Sequence, residues 1–208
     1  MSSSSVLRTQ SAHQVLERLS TGEQIENLHV TGLLDLDPLV VSRWLCGEDM
    51  LGIYQLIVLH NCVIDGIDLE GRTLYETFEL VGCRVKAAYF AQAYFYSMIM
   101  IEDCIFEGDF DGKGIQNDER LVIHNAVFTG WADFEGISLR GRADLRGVSF
   151  LGGTNLLQVL LNGAHDRIGY DITFRGCGFR ASDVPPGLDP ALLGTVPLVK
   201  GNARGAKG

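Results

Sequence analysis

The chain has 208 residues, enough for one domain with tails, and its 46% apolar content can supply a continuous core. A formal charge of −9, from 26 acidic and 17 basic residues, leaves no basic footprint for nucleic acid or an anionic membrane. No run approaches the roughly 20 apolar residues that span a bilayer, and five cysteines, an odd number, fit a reducing compartment better than a disulfide framework.

Residues 1–10 are serine-rich without the apolar segment of a signal peptide, so a cytoplasmic location is expected. Residues 1–9 are expected to lack order. From Ser11 to Leu19, Val15, Leu16 and Leu19 recur at helical spacing, with Ser11 as N-cap and Thr21-Gly22 as stop. Residues 1–24 thus read as a flexible start and a short helix capping a core that would otherwise open to solvent. The segment Ile25-Glu26-Asn27-Leu28-His29-Val30-Thr31-Gly32 opens a series of related segments. Residues 38–52, containing Trp44, Cys46 and Met50, break the series and read as a loop or short helix beside it.

The series then becomes regular. Cys62, Cys83 and Cys104 stand at steps of 21 residues, and Ala126, Val148 and Cys177 take the same place in later copies. Within a copy, large apolar residues fall near every fifth position: Leu59, Ile64, Leu69, Leu74, Leu80. That spacing matches neither a helix nor a plain strand. It suits a four-sided coil in which each side sends one large residue inward. The residue two places earlier is small, as at Cys62, Ala88, Ala93, Ala126 and Ala132, and should share that inward face. Gly66, Gly82, Gly108, Gly130, Gly141 and Gly147 fall where corners belong. Residues 111–120 and 162–171 read as further inserts, with Leu156 and Leu161 still in the five-residue series between them. From 182 to 208 a proline-bearing stretch with one capping turn near Leu188–Leu193 leads into a mobile tail.

Ala132-Asp133-Phe134-Glu135-Gly136, Ala143-Asp144-Leu145-Arg146-Gly147 and Thr154-Asn155-Leu156 resemble the repeating unit of the pentapeptide-repeat proteins. The resemblance covers about residues 25–181 and implies an all-β, right-handed quadrilateral β-solenoid of about seven coils. Single extra residues, such as Trp131 and Arg142, depart from a strict array.

The cysteine spacing offers no close ligand pair for zinc, so the cysteines read as core fillers, with no metal or cofactor expected. His60 and His124 occupy one outward column three coils apart, too far to share a metal. Asp133, Asp144 and Asn155 read as backbone-bonding residues of the repeat. Tyr89, Tyr94 and Tyr96, with Ile105 and Val127, suggest an outer apolar band serving as an interface. The expected function is therefore non-enzymatic protein interaction, with a homodimer as one form of it. The resemblance adds a narrower option: acidic rods of that family imitate duplex DNA and engage DNA gyrase or another DNA-binding protein. The alternative is a ligand-binding or catalytic pocket at the inserts, drawing on Trp44, Trp131, His60 and His124.

Overall fold

The computed structural model describes residues 7–162 and 172–186. They form a β-solenoid whose coils stack through parallel ladders. On the first side, Val30, Ile64, Val85, Phe106, Phe128 and Phe150 follow one another in register. The second side carries Ile67, Ala88, Phe110 and Ala132. The third carries Leu74, Phe95, Asn117 and Leu139. The fourth is a sheet of seven strands. Among the described residues the seven strands of this side bound about six turns, in line with the expected solenoid of about seven coils.

The register makes the core a set of files. Cys62, Cys83, Cys104, Ala126, Val148 and Cys177 are each at most 1% exposed, and the Cα ladder carries them up one line. Each thiol also bonds along the axis. Cys83 Sγ donates to Leu59 O at 3.1 Å, Cys104 Sγ to Leu80 O at 3.4 Å and Cys177 Sγ to Leu145 O at 3.4 Å. Cysteine is thus a small side chain that also satisfies a backbone carbonyl. Two residues later a phenyl file begins: Phe106 and Phe128 stack at 4.7 Å, Phe128 and Phe150 at 5.1 Å, Phe150 and Phe179 at 5.2 Å.

The corner before each cysteine requires left-handed backbone. Asn27, Asn61, Gly82, Asp103, Asn125, Gly147 and Gly176 occupy it with φ between 51° and 64°, and these are the residue types that tolerate it. Gly108, Gly130 and Gly141, expected as corner residues, do not use positive φ. Their need is close approach: a Cβ on Gly130 would lie 2.5 Å from the Gly108 carbonyl.

Several expectations change at the ends and inserts. Residues Arg8–Ser11, partly expected without order, form a strand parallel to Leu28–Thr31. Helix α1, Ala12–Ser20, follows with Ser11 as N-cap, its hydroxyl accepting from Gln14 N and its own N–H donating to the Gln14 side-chain oxygen, and it buries Val15 and Leu19 against the core. Residues 38–52 form neither loop nor helix beside the stack. A short 3-10 turn leads into an antiparallel hairpin of Val41–Leu45 and Glu48–Gly52. Residues 111–120 are no insert either, because Asp111 pairs with Tyr89 and Gln116 with Tyr94 in the ordinary ladders. After Thr154, helix α2, Leu156–Asn162, interrupts the repeat in place of the expected continuation through Leu161, and the repeat resumes at Ile172–Arg175. The expected insert at 162–171 and the capping turn at 188–193 lie outside the described residues, apart from Asn162 at the end of α2.

Candidate functional site

The third side and the hairpin carry the most distinctive surface chemistry. Outward positions there run Thr73, Tyr94, Gln116, Ser138. Because each coil returns after about one strand spacing, residues at equal positions stack. Tyr54, Tyr75 and Tyr96 follow that rule, with ring centroids 4.3 and 4.7 Å apart and planes within 8°. Tyr94 packs against Tyr96 at 4.5 Å.

The hairpin is tied to the top of this ladder. The Arg43 guanidinium lies 4.5 Å from the Tyr54 ring centroid, and the Tyr54 hydroxyl donates to Met50 O at 2.8 Å. Alternation along the strands sends Ser42, Trp44, Asp49 and Leu51 to the opposite face. The Ser42 hydroxyl bonds Asp49 there, while Trp44 is 73% and Leu51 66% exposed.

Below the ladder the chemistry becomes polar. The Tyr94 hydroxyl donates to Asp118 at 2.6 Å, and Arg140 Nη1 reaches that hydroxyl at 3.2 Å and Asp118 at 3.1 Å. Burial, then the Asp118 carboxylate, pushes the Tyr94 phenol up to about 12. Burial and the Tyr54 contact raise Tyr75 likewise to about 12. Both phenols are neutral near pH 7, and the Tyr94 hydroxyl acts as a donor. Beside them lies an open groove of about 480 Å³ lined by Gln92, Lys113, Gln116, Glu135, Ser138 and Arg140.

The residues expected to form one apolar band fall on three sides. Tyr94 and Tyr96 belong to the ladder, Tyr89 sits on the second side between Asp68 and Asp111, and Ile105 and Val127 are neighbours on the first. The pocket candidates are likewise separate. Trp44 is on the hairpin, and Trp131 is at a corner near Gly153. His60 and His124 lie on the fourth side, near Glu79 at 2.5 Å and Asp144 at 3.4 Å respectively. Of the repeat's acids and amides, Asp133 does bond local backbone, accepting from Glu135 N at 2.8 Å. Asn155 instead reaches the rung before it, accepting from Phe134 N, and Asp144 pairs with Arg146. Tyr54 and Tyr75 were not singled out from the sequence, although their 21-residue step to Tyr96 equals that of the cysteines.

Compared with known proteins, the chain matches no family model, no curated protein and no solved structure.

Proposed function

We propose that this chain is a pentapeptide-repeat protein acting as a non-enzymatic interaction rod, docking a protein partner along the hairpin and tyrosine ladder. The observation that carries this reading is the solvent exposure of Trp44 and Leu51 on a hairpin fixed against three stacked tyrosines. Scattered apolar residues on a surface need no partner, but grouped ones mark interaction surfaces, and here Trp44 and Leu51 share the outer face of the hairpin while Tyr96 is exposed on the ladder beneath it. Trp, Tyr and Arg are also the side chains that dominate interface energetics. A photo-cross-linking residue at position 44 or 96 tests it, with one at position 84 on the first side as control. Discrete protein adducts, or dimers of the chain itself, should form from 44 and 96 only. Equal labelling from all three sites would overturn the assignment.

A second reading, mimicry of duplex DNA toward gyrase or another DNA-binding protein, draws on one observation. Asp35, Asp68, Asp111 and Asp133 share a column on the second side, broken by Tyr89. Competition with duplex DNA for gyrase separates the two: protection of supercoiling activity lost on charge reversal at Asp68 and Asp111 would favour mimicry.

A further inference from the structure

The fourth side holds a concentration of positive charge that the proposed interaction surface does not use. Its register places Arg120 beside Arg142 and Arg146 beside Arg175, on three successive rungs. The backbones of each pair are separated by about one strand spacing, roughly 4.8 Å, and like charges directly opposite each other cost stability. Within the strands Arg120–His124, Arg142–Arg146 and Ile172–Arg175, Asp144 is the one carboxylate. The three strands thus hold four arginines and one aspartate on a chain whose total is −9, and Arg142 already has an interaction of its own.

Asp144 does not fill this site. It is 8% exposed and held from the side by the Arg146 fork, with Nε at 2.9 Å from Oδ1 and Nη2 at 2.7 Å from Oδ2. Arg120 Nη2 stands 3.8 Å away, a looser contact. Arg175 has no ion pair among the described residues. The four guanidinium groups, the Asp144 carboxylate and Thr173 line an open cleft of about 230 Å³ on this side.

We propose that this cleft is a binding site for a phosphoryl oxyanion of the size of phosphate or diphosphate. Planar guanidinium forks match tetrahedral oxyanions by paired hydrogen bonds, and the Thr173 hydroxyl adds a donor. The cleft has no aromatic or large apolar wall among its lining residues, so a nucleobase or acyl chain gains nothing there. A bound dianion would offset the positive charge that Arg120 and Arg175 bring to the cleft.

Titration calorimetry on the full chain tests the site, using pyrophosphate at fixed ionic strength with chloride as reference. Saturable 1:1 binding is expected, weakened at least tenfold by Arg175→Gln and by Arg120→Gln. Lys86→Gln, which removes one positive charge from the first side, should leave it unchanged. Asp144→Asn should tighten binding, a direction that general damage to the fold would not produce. A phosphoserine peptide tells the sources apart: binding it as well indicates a phosphoryl group carried on a larger molecule, and binding pyrophosphate alone indicates the free anion. Absence of binding beyond chloride, or equal losses in Arg175→Gln and Lys86→Gln, would overturn the proposal. So would a salt-sensitive dimer that excludes pyrophosphate, because the cleft would then serve an acidic surface of a second copy.

Discussion

At the scale of single residues, the core tolerates a swap within its files. The second side alternates a small residue with a large one two places on, as in Ala88 with Phe90 and Ala132 with Phe134. In the coil between them the order is inverted: Phe110 takes the small place and Gly112 the large one. The Phe110 ring leans into the vacated space, so a Cβ on Gly112 would come within 2.5 Å of Phe110 Cε1. Phe110→Ala should cost about 3–5 kcal/mol by leaving a cavity. Adding Gly112→Phe to it should not recover that loss, because a Cβ there also meets the Asp133 carbonyl oxygen at 2.9 Å, and Gly112→Phe alone should destabilise. Chemical denaturation of the three variants measures the coupling. Asp65 makes a second prediction. Hydrogen bonds from Lys86 and His29 hold its carboxyl at about 2, against an ordinary 3.8. A depressed folded-state value means its contribution is complete above the ordinary value and disappears as pH falls through the folded one. Thermal unfolding between pH 5 and 2 should therefore show an acid-sensitive component that Lys86→Met reduces; an identical profile in that variant would contradict it.

At the scale of elements, the hairpin is an attachment and not part of the core. Trp44→Asp with Leu51→Asp should leave stability within roughly 1 kcal/mol while abolishing cross-linking from position 96, as circular dichroism and gel analysis would record. A large loss of stability would instead assign those side chains a packing role. The sequence conceals this hairpin for a local reason. Its turn, Cys46-Gly47, takes φ of 53° and 91°, as two-residue hairpin turns demand, but lacks the Asn-Gly or Asp-Gly that usually signals one. The coil at 111–120 is concealed differently. Gly112 and Asn117 stand where large apolar residues mark the other rungs, and Asn117 is buried with its amide donating to Ser97 O at 2.9 Å. Helix α2 is misread because Leu156, Leu157, Leu160 and Leu161 satisfy a five-residue step and a helical period alike. The cysteine file was legible because a narrow interior restricts that place to small side chains in every coil. The tyrosine ladder and the arginine columns lie outside, where nothing restricts neighbouring coils to matching residues, so only the register reveals them.

At the scale of the whole molecule, successive coils superimpose. Stability in such a rod accumulates from each coil and its contact with the next, and every outer column described here is a consequence of that register. Cross-linking of paired cysteines tests it most directly, in a Cys46→Ser background that removes the one exposed thiol. Ile105→Cys with Val127→Cys, and Val127→Cys with Ser149→Cys, should join through a reagent spanning about 5 Å, since each pair is one strand spacing apart. Ile105→Cys with Asp133→Cys, on different sides of the rod, should stay unlinked. Equal linking of all three pairs, or linking of the last alone, would contradict the stacked coil.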